Sequence, residues 1–248
     1  MAESFTLILP CYNEADAIKE NLVLIMDELQ TVGRDFEILV VDDGSSDGTV
    51  EQVKEIQSRY PDRLRLLHQT RNRGKGGSVK NGVGHARGNI VFFTDADRPY
   101  RLDKLSKAFT LFENGADVVI GARNLSESSS HIPRSWMRQT TSWFFSFLVN
   151  QIFNELNIWD TQCGLKGFTQ KTAKEIFLRT REEGFAFDVE ILVISRCLGL
   201  NIQKVPVEQN VTSPTSLNLV FDPLRMLFSL LNIRKRKSRG DYSLKNPE

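Results

Sequence analysis

The sequence predicts an α/β domain: a mostly parallel mixed sheet covered by helices on both faces, followed by an amphipathic C-terminal helix. Three observations carry this. Short β-rich apolar runs alternate with segments whose apolar residues recur at helical spacing. Several runs end in polar clusters, the place where open parallel sheets hold ligands. The 248 residues are 40% hydrophobic and 25% charged, a globular balance with length enough for one large core.

In chain order, residues 5–9 form the first apolar run, and residues 15–30 then place Ile18, Leu22, Ile25, Met26 and Leu29 at helical spacing. Residues 37–41 are a second strand, ending at Asp42-Asp43-Gly44. Asp47 suits a helix N-cap, with Val50, Val53 and Ile56 following on one face. Residues 64–68, 89–94 and 117–120 read as strands three to five. The second half is less regular: an aromatic-rich helix over 136–154, a short strand over 164–168, a helix over 187–198 and a strand over 201–207. Phe221, Leu224, Leu227, Phe228 and Leu231 share one helical face. With no internal repeat or low-complexity linker, residues 1–220 are expected to form one domain and 221–248 a basic, amphipathic membrane-surface segment.

Composition excludes several classes. A mean hydropathy of −0.28 does not suit a polytopic membrane protein. The longest charge-free stretch of the aromatic region, residues 139–154, has 16 residues, where a spanning helix needs ~20 apolar ones. The run at 5–9 lacks the length and basic flank of a secretory signal. Three cysteines, Cys11, Cys163 and Cys197, without a CxxC pair suit reduced thiols and a cytoplasmic location. A net charge of +1 argues against a polyanion binder, so no nucleic-acid partner is expected. That figure hides an asymmetry: residues 223–240 carry six basic residues and no acid, leaving −5 on the rest.

Four clusters carry candidate chemistry. Pro10-Cys11-Tyr12-Asn13-Glu14 follows strand one. After strand two, Asp42 and Asp43 present adjacent carboxylates suited to base or ribose hydrogen-bond donors, while Asp47 is explained by capping. Arg71-Asn72-Arg73-Gly74-Lys75-Gly76-Gly77 opens a helix, and a Gly-rich helix N-terminus beside a lysine favours phosphate. It lacks the Walker A spacing. Asp95-Ala96-Asp97 follows a buried strand, and two carboxylates so spaced can share one small cation, Mg²⁺ or Mn²⁺, with diphosphate oxygens.

With these clusters the chain resembles the inverting family 2 glycosyltransferases of GT-A fold, and within them the dolichyl-phosphate (polyprenyl-phosphate) glycosyltransferases. The resemblance spans roughly residues 5–233. It adds Gly121-Ala122-Arg123 to the four clusters, and Asp160-Thr161-Gln162-Cys163-Gly164-Leu165-Lys166 and Phe185-Ala186-Phe187-Asp188-Val189-Glu190 look like the β-glucosyltransferase branch. It implies that Pro10, Tyr12, Glu14 and Asp43 line the nucleoside pocket, with Asp42 and Lys75 in the same donor-binding set. Asp95 and Asp97 would hold the metal and donor diphosphate, Arg123, Arg134 and Arg138 would collect the acceptor phosphate, and Gln162 and Asp188 would sit near the sugar. The implied reaction is metal-dependent transfer of a hexose, glucose from UDP-glucose, to polyprenyl or dolichyl phosphate with inversion. Two departures from the family pattern stand out: Pro99 stands where some relatives offer a third polar metal ligand, and residues 212–217 lack the basic residue that many relatives carry there.

The chemistry suits that inventory. A phosphate monoester is already anionic at pH 7 and needs cations to position it more than a base. Arginines give bidentate contacts and stay charged. The lipid acceptor calls for a membrane surface, offered by residues 143–153 and by residues 221–233 with the basic run after them, and the protein is expected to be peripheral on the cytoplasmic face of a membrane. Alternatives are mannosyl transfer from GDP-mannose, a soluble or glycan acceptor with Asp188 or Glu190 as base, a sugar nucleotidyltransferase, and a non-enzymatic nucleotide-sugar-binding scaffold. A nucleotidyltransferase wants a Gly-rich basic signature near the N-terminus, which residues 10–14 do not provide.

Overall fold

The computed structural model describes residues 4–122, 148–153, 163–184, 186–208, 210 and 222–243. Seven strands make one sheet: β1 (Phe5–Cys11), β2 (Phe36–Asp42), β3 (Leu64–His68), β4 (Ile90–Phe93), β5 (Val118–Ala122), β6 (Lys166–Thr169) and β7 (Ile202–Pro206). Their order is β3-β2-β1-β4-β6-β5-β7. β6 runs antiparallel to both β4 and β5, and the other pairings are parallel. The chain steps outward from β1 to β2 and β3, then returns to place β4 on the other side. The strand order therefore reverses beside β1, which marks the ligand crevice of such a sheet.

The helices are α1 (Ile18–Gln30), α2 (Thr49–Arg59), α3 (Gly74–His85), α4 (Ser106–Glu113), α5 (Gln170–Arg179), α6 (Phe187–Cys197) and α7 (Asp222–Ser238). Strand residues alternate between two core layers. Leu7, Leu9, Val40 and Phe92 pack with Ile25, Met26 and Phe109 on one face. Ile8, Leu39, Val41 and Phe93 pack with Val79, Phe168 and Ile191 on the other. Burial on both faces explains why these strands read as continuous apolar runs. β1 extends beyond residue 9 because Pro10 and Cys11 stay in parallel register with Val41 and Asp42.

In the second half β6, α6 and β7 lie where the sequence places them, and α5 is a helix the sequence reading does not single out. The aromatic helix expected over 136–154 lies mostly outside the described residues; residues 148–152 are helical, and Val149 and Phe153 are buried. α6 is buried from Phe187 to Ser195, including Asp188 and Glu190. A helix buried all round must pair any charge it carries.

α7 is tied to the body. Leu230 and Ile233, with Tyr242 after the helix, join the core layer that contains α6. Arg236 reaches Glu182 at 2.7 Å and Glu190 at 3.2 Å. The opposite face of the same helix leaves Phe228 68% and Leu231 48% exposed. Among the described residues no helix is long and apolar enough to cross a membrane.

Candidate active site

The loops after β1 and β2 are laced into one unit. The Asn13 and Glu14 amides donate to Ser45 Oγ and Thr49 Oγ1, and Asn13 Oδ1 accepts from the Ser46 amide. Asp47 Oδ2 accepts from the Ala15 amide and its Oδ1 from that of Thr49. This lacing leaves Tyr12 as an exposed ring at the crevice mouth, while Pro10 sits half-buried at the strand end. Cys11 is buried; desolvation, reinforced by Asp42, pushes its thiol well above the usual range, which suits packing and not nucleophilic chemistry.

The adjacent carboxylates Asp42 and Asp43 have different tasks. Asp43 is held by the protein at both oxygens: Oδ1 accepts from Gln69 Nε2 and the Arg73 amide, and Oδ2 from the Gly74 amide. It shapes the turn into α3, where Gly74 has φ +82°, a conformation that favours glycine. Burial outweighs these hydrogen bonds and raises its carboxyl. Asp42 is fully buried. Its Oδ2 accepts from the Gly44 and Ser45 amides and faces His68 Nδ1 at 2.8 Å, whereas its Oδ1 is buried with no partner. Of the two, it is Asp42 that carries a carboxylate oxygen without a hydrogen-bond partner.

The helix N-terminus at α3 does not provide the free phosphate cradle expected from its glycines. The Gly76 and Gly77 amides donate to the Glu183 carbonyl at 2.7 and 3.3 Å, and that of Gly74 to Asp43. These donors are used by the protein itself, so the chemistry of this segment rests on Lys75. The Lys75 ammonium lies 2.5 Å from Asp95 Oδ1 and 4.0 Å from Asp188 Oδ2. Burial disfavours its charge, but Asp95 and then Asp188 overcome that and hold its pKa above the ordinary lysine range.

β4 delivers Asp95 and Asp97 to the same edge. The loop that carries them is anchored on both sides: Asn21 Nδ2 donates to the Ala96 carbonyl, the Arg98 side chain pairs with Glu28, and Asn210 Nδ2 donates to the Arg98 carbonyl. Gly164 lies against this carboxylate: a Cβ there would stand 2.6 Å from Asp95 Oδ2 and would displace it. Asp97 Oδ1 is buried with no partner. Burial and then Asp95 push the Asp97 carboxyl up to about 6. Burial, then Asp97, Asp47 and Asp95, also raise Glu14. A cluster of mutually repelling carboxylates with an orphaned oxygen suits a divalent cation. Among the described residues no three such side chains converge as a complete ligand set, so two carboxylates would need substrate oxygens and water to fill the coordination shell, as Mg²⁺ sites commonly do.

Asp188 is only 4% exposed. Its Oδ1 accepts from Lys166 Nζ at 2.6 Å, and Lys166, fully buried, also donates to the Cys163 carbonyl. Sequence reasoning assigns Lys166 no role; its one signal is a lone charge in the otherwise uncharged stretch Cys163-Gly164-Leu165-Lys166-Gly167-Phe168. Glu190 is fully buried and engaged at both oxygens, by the Arg181 and Glu182 amides on one and by Tyr242 and Arg236 on the other. The structure thus brings together Pro10, Tyr12, Glu14, Asp42, Asp43, Lys75, Asp95, Asp97 and Asp188 along one sheet edge. Arg123, Arg134, Arg138 and Gln162 lie outside the described residues.

Comparison with known proteins places this geometry. A model of glycosyl transferase family 2 matches residues 6–177. The chain is 31% identical to the dolichyl-phosphate beta-glucosyltransferase of Saccharomyces cerevisiae, over 96% of this chain and 76% of that protein. It is 32% identical to the Mus musculus protein of the same name, over 98% of this chain and 78% of that one. Among solved structures, mannosyl-3-phosphoglycerate synthase from Rubrobacter xylanophilus superposes with a TM-score of 0.70 at 20% identity, covering 99% of this chain and 77% of that one. Glucosyl-3-phosphoglycerate synthase from Mycobacterium tuberculosis, in complex with Mn²⁺, UDP-glucose and phosphoglyceric acid, gives 0.66 at 18% identity, covering 94% and 80%. These structures support the GT-A expectation for the fold.

Proposed function

We propose that this chain, which belongs to glycosyltransferase family 2, transfers a hexose from a nucleotide-sugar, most simply glucose from UDP-glucose, to a polyprenyl or dolichyl phosphate with inversion. The observation that carries the reading is the pair Asp95 and Asp97 beside Lys75 at the reversal point of the sheet, with one buried carboxylate oxygen left unpartnered. The near-full-length likeness to dolichyl-phosphate β-glucosyltransferases supports the donor and acceptor class. An oxygen of the acceptor phosphate attacks the anomeric carbon. The bond from that carbon to the diphosphate breaks, and the nucleoside diphosphate leaves with its electron pair. One in-line displacement converts an α-linked donor to a β-linked product.

The acids fit this reaction better than one with a hydroxyl acceptor. A hydroxyl nucleophile needs a general base, yet Asp188 is paired to lysine and Glu190 is engaged at both oxygens. An acceptor phosphate needs neither. Asp95 and Asp97 would hold a divalent cation, Mg²⁺ or Mn²⁺, which would offset the charge on the leaving diphosphate. Lys75 adds a second positive charge. Arg123, Arg134 and Arg138 collect the acceptor phosphate in this reading, and Gln162 contacts the sugar. The test is transfer from labelled nucleotide-sugars to a short polyprenyl phosphate with Mg²⁺, Mn²⁺ or EDTA. Label entering the organic phase from UDP-glucose, and only with metal, is the expected result. Label from GDP-mannose would change the sugar, transfer only to soluble acceptors would change the acceptor class, and no transfer from any donor would leave a binding scaffold.

A lipid acceptor implies a peripheral position on the cytoplasmic face of a membrane. The support is α7, whose outer face exposes Phe228 and Leu231, with Arg234, Lys235 and Arg239 exposed further along. Basic residues near an anionic leaflet contribute ~1 kcal/mol each. Replacing Arg234, Lys235 and Arg239 by Gln is therefore expected to weaken binding to phosphatidylserine vesicles about 10²-fold, with thermal stability unchanged. Unaltered flotation of this variant would remove α7 from the membrane contact. Truncation is a poorer test, because Ile233 and Tyr242 are core residues.

A further inference from the structure

We infer that Asp188 and Lys166 form a buried positioning pair that aims the Lys75 ammonium at the donor diphosphate. This rests on the transferase reading above and assigns Asp188 to Lys75 in place of a direct contact with the sugar. Four charges alternate in sign along one line: Lys166, Asp188, Lys75 and Asp95. Lys166 Nζ is 2.6 Å from Asp188 Oδ1, Asp188 Oδ2 is 4.0 Å from Lys75 Nζ, and Lys75 Nζ is 2.5 Å from Asp95 Oδ1. Side-chain exposure rises along it, from 0% at Lys166 and 5% at Asp188 to 16% at Lys75 and 37% at Asp95. The line therefore runs from the core to the crevice.

The pair is hard to explain by stability. Lys166 sits in mid-sheet, in register with Phe93 on one side and Ile120 on the other, and Nζ lies 5.6 Å from the centre of the Phe93 ring. At such a place a matched pair of apolar residues is often as stable as a buried ion pair, or more so. What the ion pair supplies is a fixed carboxylate behind Lys75. In the absence of ligand, Asp95 holds Lys75 from the front. A diphosphate oxygen arriving beside Asp95 competes for the same ammonium, and a lysine held on one side only could swing with its long stem. Asp188 keeps the ammonium in place as the front partner changes. Lys166 occupies the other Asp188 oxygen, and its own third contact, the Cys163 carbonyl, fixes the pair to the loop that carries Gly164, which lies against Asp95. Lys75 is further confined by Phe187, whose ring centre lies 5.9 Å from Nζ.

The test is calorimetric binding of UDP and GDP, and of uridine and guanosine, in Mg²⁺ buffer, to the full chain and to Asp188→Asn, Lys75→Met, and the two combined. The expected result is a diphosphate affinity lowered about tenfold in Asp188→Asn, the scale of one charge-assisted contact, with nucleoside affinity unchanged. The combined variant should bind the diphosphate no more weakly than Lys75→Met alone, because residues acting through one another are non-additive. Adding Lys166→Met to Asp188→Asn removes the stranded buried cation and should recover thermal stability without recovering diphosphate affinity. Multiplying losses, an equal loss for nucleoside and diphosphate, or affinity recovered together with stability would each overturn the positioning role. A wild-type chain that binds neither diphosphate would instead overturn the transferase reading on which the inference rests.

Discussion

Asp97→Asn is expected to lower the transfer rate about 10³-fold at saturating donor. Neutralising charge on a leaving diphosphate contributes several kcal/mol to the transition state, and each 1.4 kcal/mol is a factor of ten. The substitution preserves the shape of the side chain and removes one of two carboxylates at the tip of β4. Mn²⁺ titration should show weakened cation binding in parallel with the rate. Folding should respond in the opposite direction. Burial and then Asp95 push the Asp97 carboxyl from its ordinary 3.8 up to about 6. A folded-state value above the unfolded one means that the native state binds more protons between the two. The metal-free protein therefore gains stability as pH falls from above 6 toward 4. The Asn variant lacks that contribution. It should be more stable than its parent at pH 8, and its stability should vary less between pH 8 and pH 4. A variant with full rate and full metal dependence would remove Asp97 from the reaction.

The same residue shows what a sequence makes legible. Asp95 and Asp97 could be read directly, because a short buried strand delivers both carboxylates within three residues of each other and their spacing is local. β1, β2 and β4 were legible for a related reason: strands buried on both faces keep their apolar character in one dimension. The roles of Asp42 and Asp43 were not separable from sequence. What separates them is the turn at residues 71–74, whose amides claim Asp43, and the register of β3, which sets His68 beside Asp42. Nor could Gly76 and Gly77, after Lys75, reveal that their amides are occupied, since the acceptor is the Glu183 carbonyl, over a hundred residues away in sequence. Asp188 and Glu190 read as candidate acids near a sugar or as bases. Their partners lie 22 residues upstream at Lys166 and 52 downstream at Tyr242. Long-range pairing of charges inside a core leaves little trace in local spacing, apart from the oddity of a lysine in an uncharged strand.

Glu190 carries the largest expected effect on stability. Its carboxylate is fully buried. Oε2 accepts from the Arg181 and Glu182 amides at 2.9 and 2.7 Å, and Oε1 accepts from Tyr242 at 2.6 Å and Arg236 at 3.2 Å. Every partner donates to the carboxylate in this arrangement. Glu190→Gln keeps the volume but turns one end into a donor: turned one way its N–H groups meet the Arg181 and Glu182 amides, and turned the other way they meet the Arg236 guanidinium, where only the Tyr242 oxygen can accept. Breaking a buried, charge-assisted set by altering one member costs about 3–5 kcal/mol. For a chain of this size that corresponds to a fall of about 10 °C in the melting midpoint. The damage should also reach the crevice. The segment that Glu190 holds, residues 181–184, supplies the carbonyl that accepts the Gly76 and Gly77 amides and the carboxylate that pairs with Arg73. Hydrogen exchange at those two amides should therefore quicken in Glu190→Gln, at temperatures well below its own melting, while amides in β2 stay protected. Loss of stability without faster exchange at Gly76 and Gly77 would mean that Glu190 only secures α7. Faster exchange at both would mean that the C-terminal helix and the turn beside Lys75 are held by one buried carboxylate, so that disturbing α7 disturbs the donor site.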